Sequence, residues 1–311
     1  MRPLRLLLAA VLLTACARHP PAELAATTPF GLARTQGRFV TVEGLHVFAI
    51  TLGQGGPDVV LLHGNPASTY SWRKVQEPLA ARHRVHAIDL PGYGFSDKPS
   101  DAPYDVAWFA RVVVGYLDAA GVRRAVLVGN SMGGYVATET AILYPERVAG
   151  LVLLDAAGLP EAERDGRPLS IRMLTWPVLG PLLRQLPGRG RVRDGLRRAV
   201  YDPATVSEAD VDAYYAPLRT AGGTNAFVAR LRQRTPADRA ARVRTIRAPT
   251  LVITGDTDRL VPPETARAYH TLIADSELLV LARTGHLPQE EQPERVVAEI
   301  TRWAQASAAR D

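Results

Sequence analysis

The run AVLVGNSMGG at residues 125–134 constrains this chain more than any other stretch. Its four leading apolar residues are typical of a buried strand, and the residues after it continue with helical patterning. Ser131 lies between them in a G-x-S-x-G pattern, in which Gly129 and Gly133 let strand and helix approach closely around a sharp, strained turn. Such a turn holds a hydroxyl at a helix N-terminus, where developing negative charge is stabilised. The pattern predicts that Ser131 is a nucleophile; the alternative is a glycine-rich junction with an incidental serine.

Length and composition indicate a globular protein, large enough for one α/β domain with an insertion or for two small domains. The 311 residues are 47% hydrophobic. The formal charge of +6 comes almost entirely from arginine, since Lys74 and Lys98 are the two lysines of the chain. Because the arginines are mostly scattered and interleaved with Asp and Glu, nucleic-acid binding is not expected.

The first sixteen residues have the composition of an export signal. Arg2 and Arg5 precede an apolar run at residues 6–13 that is too short to span a bilayer, and the sequence LTAC then ends at Cys16. This ending resembles a bacterial lipobox, in which a peptidase cuts before the cysteine and lipid is attached to it. We therefore predict a lipoprotein signal peptide at residues 1–15 and a lipidated tether at residues 16–36. The alternative is an ordinary signal peptide with an incidental cysteine.

Lipidation at Cys16 would anchor the mature protein in the membrane of a bacterial cell envelope. Because Ala17 rather than aspartate follows the cysteine, the resemblance to sorting signals of diderm bacteria favours the outer membrane. Cys16 is also the single cysteine of the chain, so no internal disulfide is expected in spite of the predicted export.

Strands and helices alternate along most of the chain, which predicts a mostly parallel, eight-stranded sheet covered by helices on both faces. The first two strands, on either side of Glu43-Gly44, are predicted to form an antiparallel hairpin at the sheet edge. The predicted strands lie at residues 38–42, 45–50, 58–62, 84–89, 125–128, 148–154, 250–254 and 277–281. Besides the helix after Ser131, helices are predicted at residues 70–82, 106–120 and 294–306.

A long interval at residues 158–242 breaks this alternation. It contains helical patterns near residues 171–186, 192–201, 208–218 and 224–234. We interpret the interval as a helical cap over the carboxyl ends of the strands, where ligands bind in open α/β sheets. The predicted core then consists of residues 37–157 and 243–311. Apolar side chains in the cap suggest an apolar pocket, although general core packing explains them equally well.

A serine hydroxyl is a weak nucleophile, so it needs a base, and the base needs an orienting acid. Of the seven histidines, His286 is the one that follows the last predicted strand in a glycine-flanked loop. That loop lies at the edge of the sheet where Ser131 is displayed, which predicts that His286 is the base. The alternative is a loop histidine that caps the next helix.

The acid is expected at the end of the preceding strand, where the sequence GDTD offers Asp256 and Asp258. Asp256 is suited to a local turn with the main chain, whereas Asp258 is better placed to reach across the sheet edge. Asp258 is therefore the predicted acid. Asp155, at the end of the strand after the serine helix, is a further candidate.

The tetrahedral intermediate of acyl transfer needs main-chain N–H donors, each contributing about 3 kcal/mol. One predicted donor is the N–H of Met132, directly after the nucleophile. The other is the N–H of Asn65, in the HGNP loop that follows the third strand. His63 in the same loop is predicted to be structural.

Several motifs together resemble the α/β-hydrolase family over nearly all of residues 38–306. They are HGNP at residues 63–66, DLPGYGFSD at 89–97, GNSMGG at 129–134, GDTD at 255–258 with Val261-Pro262, and Gly285-His286. The resemblance implies an α/β-hydrolase fold with catalytic residues in the chain order Ser, Asp, His. The interval of 28 residues between Asp258 and His286 is similar to the acid-to-base spacing of family members, which supports Asp258.

Two groups of enzymes within this family share some of these motifs with the chain. The HGNP loop resembles that of haloalkane dehalogenases and epoxide hydrolases, but those use an aspartate nucleophile, and dehalogenases have a halide-binding tryptophan where this chain has Met132. The serine turn resembles that of carbon–carbon bond hydrolases acting on aromatic ring-cleavage products. Those have a tryptophan after the histidine, where this chain has Leu287. Ser131 and Met132 argue against dehalogenation and epoxide hydrolysis. Leu287 weakens carbon–carbon hydrolysis but leaves it as an alternative.

The sequence therefore predicts a serine hydrolase that cleaves a carboxylic ester through an acyl-enzyme, with Ser131, His286 and Asp258 as the triad. No metal or cofactor is expected, and the expected substrate is a small-molecule ester with an apolar acyl or alkyl part. Other reactions of the same triad are alternatives: carbon–carbon, amide or lactone hydrolysis, or cofactor-free perhydrolysis. The alternative of another class is a non-catalytic binding lipoprotein on the same scaffold.

Overall fold

The computed structural model describes residues 37–159, 176, 188–233 and 235–308. The predicted signal peptide, Cys16 and the tether lie outside the described residues, as does the predicted cap helix at residues 171–186 apart from Trp176. In the described part of the chain, every helix is too short or too polar to cross a membrane.

The described residues form one sheet of eight strands. The strands are β1 (Gly37–Val42), β2 (Leu45–Leu52), β3 (Asp58–Leu62), β4 (Arg84–Ile88), β5 (Ala125–Asn130), β6 (Val148–Leu154), β7 (Thr250–Gly255) and β8 (Ser276–Leu281). Across the sheet their order is β1-β2-β4-β3-β5-β6-β7-β8. β2 runs antiparallel to both of its neighbours, and the other pairs are parallel. The predicted edge hairpin and the mostly parallel sheet are confirmed.

Helices cover both faces of this sheet. Those of the described residues are, in chain order, α1 (Gln76–Ala80), α2 (Val106–Ala119), α3 (Met132–Leu143), α4 (Arg189–Ala199), α5 (Glu208–Tyr215), α6 (Asn225–Arg232), α7 (Arg239–Val243), α8 (Pro263–Leu272), α9 (Pro288–Glu291) and α10 (Pro293–Ala308). In β3, Val60 and Leu62 pack into the core layer formed with α2, α3 and α8. Val59 and Leu61 pack into the opposite layer, with α1 and α10. Because both faces are buried, this strand is apolar along most of its length.

The helix predicted at residues 70–82 is wrong in its extent. The chain first forms a 3₁₀ turn at Thr69–Trp72, capped by the Ser68 hydroxyl, and only later α1. Pro78 has no N–H to donate and its ring clashes with a preceding helical turn, so a helix that began at residue 70 could not continue through it. Near the start of α1 the same proline is tolerated. The predicted helices do not include α7, α8 or α9. α7 and α9, with five and four residues, are too short to show helical periodicity.

Helices α4 to α7 lie in the insertion between β6 and β7. The first three fall where helical patterns were predicted, although α5 ends at Tyr215 and continues as a 3₁₀ turn that contains Pro217. The insertion meets the core beyond the end of β3, where Tyr70 and Arg73 both donate to the carboxylate of Asp210.

Candidate active site

Ser131 lies at the turn between β5 and α3, with φ of 54° and ψ of −115°. A positive φ is strained for a residue with a Cβ and is held only where the surroundings enforce it. The flanking glycines leave no room for side chains. A Cβ on Gly129 would lie 2.3 Å from the carbonyl oxygen of Gly133, and one on Gly133 would lie 1.9 Å from the carbonyl oxygen of Leu62. The predicted strand–serine–helix turn is confirmed, and close packing requires glycine at both positions.

The main chain of the adjacent strand holds this strained turn in place. The N–H of Ser131 donates to the carbonyl of Leu154 at 3.0 Å, and the carbonyl of Ser131 accepts from the N–H of Ala157 at 3.0 Å. Both partners flank the carboxyl end of β6. The N–H of Met132 begins α3 and so lies at a helix N-terminus, as the predicted oxyanion donor requires.

His286 and Asp258 are directly hydrogen bonded. Nδ1 of His286 donates to Oδ2 of Asp258 at 2.6 Å, and the two side chains are 7% and 0% exposed. The other carboxylate oxygen accepts from the N–H of Leu260 at 2.7 Å and of Val261 at 3.1 Å. Three donors thus converge on this carboxylate. The bond to Nδ1 leaves Nε2 as the ring nitrogen that can accept a proton.

The local role predicted for Asp256 is wrong. Its exposed side chain reaches the loop that carries His286, where it accepts from the N–H of Thr284 at 3.2 Å. Asp258 makes the local turn instead, because one of its oxygens binds the two N–H groups that follow while the other binds His286. Asp258 thus combines the two roles that the sequence assigned to different residues.

The side chain of Asn130 connects the serine turn with the histidine loop. Its Nδ2 donates to the main-chain carbonyl of His286 at 3.0 Å and to that of Leu154 at 3.1 Å, and the side chain is buried. Sequence analysis missed this residue, because the pattern G-x-S-x-G places no demand on the position between glycine and serine. The one signal present was an amide directly before the candidate nucleophile.

The histidine loop is also held from its other side. The carboxylate of Glu291 accepts from the N–H groups of Gly285 at 3.0 Å and of Leu287 at 3.2 Å, on either side of His286. The N–H of His286 donates to the carbonyl of Ala199 at 2.6 Å. Because Ala199 ends α4, the insertion takes part in positioning the candidate base. No sequence pattern predicted these contacts.

The loop after β3 lies against the serine turn. A Cβ on Gly64 would lie 3.1 Å from the Cβ of Ser131, so the peptide between Gly64 and Asn65 is next to the candidate nucleophile. The second oxyanion donor was predicted in this peptide. The side-chain Oδ1 of Asn65 is buried and has no hydrogen-bond partner among the described residues.

His63 is a structural histidine of the same loop. Its Nε2 accepts from the N–H of Leu90 at 3.0 Å, and its Nδ1 donates to the carbonyl of Gly64 at 2.8 Å. Burial lowers the pKa of the His63 imidazole. The neutral ring, bonded through both nitrogens to main chain, holds the loop in shape, as the sequence predicted.

Asp155 lies beside the His286–Asp258 pair at the end of β6. One oxygen from each aspartate and a ring nitrogen of His286 lie within 4.8 Å of one another. Among residues 37–159, 176, 188–233 and 235–308, these three are the one group of acidic and imidazole side chains close enough together to hold a metal ion. Burial, followed by the charge of Asp258, raises the pKa of Asp155 well above its ordinary value. The direct bond between Asp258 and His286 is the arrangement of a catalytic triad.

A second cluster of partly buried ionic groups joins the insertion to the core near the histidine loop. Arg73 donates to Asp210 of α5 at 2.6 Å and to Glu290 of α9 at 2.8 Å. The hydroxyl of Tyr214 donates to the same glutamate at 2.5 Å. Burial raises the pKa of Glu290. The cluster secures α5 against α9, which begins two residues after His286.

The fold and these side chains define the class of protein. Residues 57–293 match the family model of the α/β hydrolase fold, and the chain belongs to the α/β-hydrolase family. Since its relatives in that family are hydrolases, the protein is an enzyme of this type. The alternative of a non-catalytic binding protein is therefore wrong.

The relatives differ in the substrates that their names give. The 2-hydroxy-6-oxo-2,4-heptadienoate hydrolase of Pseudomonas putida is 34% identical over 265 residues, which cover 82% of this chain and 91% of that protein. The pimeloyl-[acyl-carrier protein] methyl ester esterase of Edwardsiella ictaluri is 28% identical over 271 residues, which cover 83% and 97%. Among solved structures, a membrane phospholipase A described as a bacterial virulence factor is 30% identical, with a TM-score of 0.75. That match covers 98% of this chain and 99% of the phospholipase chain.

Proposed function

We propose that this enzyme hydrolyses carboxylic esters with Ser131 as nucleophile, His286 as base and Asp258 as orienting acid. The Ser131 hydroxyl attacks the ester carbonyl and passes its proton to Nε2 of His286. The imidazolium, stabilised by Asp258, then protonates the leaving alcohol, and an acyl-enzyme remains. Water activated by the same imidazole attacks the acyl-enzyme and releases the carboxylic acid. The N–H groups of Met132 and Asn65 hold the negative oxygen in both tetrahedral intermediates.

The hydrogen bond between His286 and Asp258 carries this proposal. It selects the tautomer in which Nε2 is free to act as a base, and it places a buried negative charge where the imidazolium forms. The strained φ of Ser131 and the bond from Asn130 to the main chain of His286 support it further, since they bring nucleophile and base to one edge of the sheet.

Hydrolysis of p-nitrophenyl esters with increasing acyl-chain length tests the proposal. We expect Ser131→Ala to lower kcat by about 10⁴-fold or more, because no other group supplies the nucleophile. Alanine keeps the Cβ, so the thermal unfolding midpoint should change little. Ser307→Ala, which removes a buried hydroxyl in α10, is the matched control and should retain full turnover. Unchanged turnover in Ser131→Ala would eliminate the mechanism.

Carbon–carbon bond hydrolysis by the same triad is the second candidate. The Pseudomonas putida relative and the sequence of the serine turn support it. Against it, Leu287 stands where carbon–carbon hydrolases have tryptophan. Leu287 is 6% exposed and packs in an apolar cluster with Leu196 and Tyr214 of the insertion. Two relatives with ester-cleaving names, a methyl ester esterase and a phospholipase A, favour the ester.

A comparison of two substrates with one enzyme preparation separates these candidates. We expect kcat/KM for the best p-nitrophenyl ester to exceed that for a 2-hydroxy-6-oxo-dienoate by at least about tenfold, the factor that 1.4 kcal/mol of transition-state preference gives. The opposite order would favour the carbon–carbon reaction. Loss of both activities in Ser131→Ala shows that one site performs both.

We also propose that the mature enzyme is a lipoprotein of the cell envelope, attached through Cys16 and located at the outer membrane. The apolar run ending in LTAC supports this, as does the alanine that follows the cysteine. The match to a membrane phospholipase A over 98% of this chain is a further support.

Cell fractionation with metabolic labelling by an alkyne fatty acid tests the lipid anchor. We expect the wild-type protein in the outer-membrane fraction of a diderm host, carrying the label. Cys16→Ser should lose the label and leave that fraction. Ser131→Ala is the matched control, because it should be labelled like the wild type and thereby exclude self-acylation of the active site. An unlabelled wild-type protein would contradict lipidation.

A further inference from the structure

Asp155 is a buried carboxyl that the proposed mechanism does not use. It is 1% exposed and has a φ of 45°, a strained conformation that its N–H bond to the carbonyl of Ile253 helps to hold. Its Oδ1 accepts from the hydroxyl of Thr254 at 2.7 Å and from the N–H of Gly255 at 3.0 Å. Its Oδ2 is buried without a donor in the described part of the chain.

The charged group beside Asp155 is the carboxylate of Asp258. The two carboxyls and the imidazole of His286 lie within 4.8 Å of one another. Two buried carboxylates this close repel strongly, so one of the pair binds a proton. Asp258 has three N–H donors distributed over both of its oxygens, whereas the two donors of Asp155 share a single oxygen. The donor count therefore assigns the proton to Asp155.

We infer that Asp155 is a neutral carboxylic acid whose O–H donates to the carboxylate of Asp258, which makes Asp155 a positioning residue for the triad. This rests on the proposed function, because it assumes that Asp258 orients the base. The bond satisfies the otherwise unpaired Oδ2 and gives Asp258 a fourth donor. It thereby limits the negative charge that Asp258 presents to His286 and fixes the plane of the carboxylate.

The protonation state agrees with the surroundings of Asp155. Burial, and after it the charge of Asp258, raises the pKa of the Asp155 carboxyl. Other ionisable side chains packed near this loop bind main chain: Tyr269 of α8 and Arg239 of α7 donate to carbonyls that follow Asp155, at 2.7 and 3.3 Å. Arg239 is itself paired with Glu139 of α3. Within the described residues, the ionisable groups beside the Asp155 carboxyl are thus Asp258 and His286, the acid and the base of the triad.

The pH dependence of kcat/KM for a p-nitrophenyl ester tests the inference with two variants. The asparagine of Asp155→Asn is uncharged, and its amide can donate to Asp258. The acidic limb of the pH profile of kcat/KM should therefore stay within about 0.3 pH units of the wild type. Asp155→Val removes the donor and leaves Asp258 a stronger partner for the imidazolium. Its acidic limb should therefore move up by about 0.5 pH units or more.

Two results would overturn the inference. If Asp155 is ionised in the wild type, Asp155→Asn removes a negative charge near the imidazolium and moves the acidic limb down by about one pH unit or more. If Asp155 is merely structural, both variants lower the amount of folded enzyme and leave the limb in place. Asp58→Asn is the matched control. Asp58 pairs with Arg84 at the opposite end of the sheet and should not move the limb.

Infrared spectroscopy tests the proton directly and needs no turnover, so its result is independent of whether the ester is the true substrate. We expect the carbonyl band of a protonated carboxyl at pH 7 in the wild type, lost in Asp155→Asn. Since burial also raises the pKa of Glu290, the band must persist in Glu290→Gln. Its absence from Glu290→Gln would overturn the inference, even if the Asp155 variants do not fold.

Discussion

Nδ2 of Asn130 lies 3.0 Å from the main-chain oxygen of His286, so one buried amide joins the residue before the proposed nucleophile to the proposed base. The two residues are 156 positions apart in the sequence. The same Nδ2 binds the carbonyl of Leu154, which ends the neighbouring strand β6. The distance between nucleophile and base therefore depends on a side chain that moves no proton itself.

Replacing Asn130 by alanine should impair both stability and catalysis. Two buried carbonyls lose a donor, which lowers the free energy of unfolding by about 1–3 kcal/mol. The histidine loop loses its bond to the serine turn, and a shift of about 1 Å is enough to lower kcat by about 100-fold. Denaturant unfolding and ester kinetics measure the two effects.

Gln76→Ala is the matched control for Asn130→Ala. Gln76 is also a buried amide that donates to a main-chain carbonyl, that of Ile50 at 2.7 Å, but it lies away from the candidate site. It should lose stability and keep kcat per folded molecule. Equal kcat in the two variants would show that the Asn130 bond does not position the base.

Asp258→Asn should lower kcat by about 10³- to 10⁴-fold. The N–H groups of Leu260 and Val261 require an oxygen, so the new amide turns its NH₂ toward Nδ1 of His286 and stabilises the wrong tautomer. Asp256→Asn carries the same substitution two residues away, on an exposed side chain. It should lower kcat by less than about threefold. Comparable losses in the two variants would contradict the assignment of the acid.

Gly133→Ala should prevent a stable native turn. Its Cβ would lie 1.9 Å from the carbonyl oxygen of Leu62, and main chain cannot move aside as a side chain can. We expect a loss of about 3 kcal/mol or more in the free energy of unfolding. Gly195→Ala, in the exposed interior of α4 where a Cβ meets no atom within 4 Å, should gain up to about 1 kcal/mol. Chemical denaturation of both variants checks the contrast.

Asp155→Asn should change how stability depends on pH. The folded-state pKa of Asp155 is raised, so above the ordinary aspartate pKa the native protein binds one proton more than the unfolded chain. The free energy of unfolding of the wild type therefore falls as pH rises, by about 1.4 kcal/mol per unit from this group. Asparagine abolishes that contribution.

The measurement is the free energy of unfolding of the wild type and of Asp155→Asn over a series of pH values, compared as the difference between the two proteins. Between about pH 5 and pH 7 the stability of the variant relative to the wild type should rise with pH. Titrating groups that do not contact Asp155, among them Glu290, contribute equally to both proteins and cancel. Parallel curves would show that Asp155 ionises alike in the folded and unfolded states.

Much of the architecture was predictable because it follows from local patterns. Alternating segments marked the two strands of the edge hairpin, and apolar runs marked the other six, all to within two residues at each end. Strands buried on both faces are apolar along most of their length. The glycines around Ser131 predicted a turn in which a Cβ would collide with main chain. The helix predicted at residues 70–82 was wrong because the helical spacing of apolar residues continues through Pro78. Proline lacks an N–H and clashes with the preceding turn, so it interrupts a helix in spite of that spacing.

The amino-acid sequence by itself determined where the strands lie, that Ser131 stands on a strained turn, and that a histidine and an aspartate follow later strands. These depend on side-chain periodicity and backbone sterics, which act over a few residues. Tertiary structure alone decided that Asn130 and Glu291 hold the loop of His286, and that Asp155 lies beside Asp258. Such contacts join segments from different strands, and their geometry depends on how the packed sheet brings the carboxyl ends of those strands to one edge.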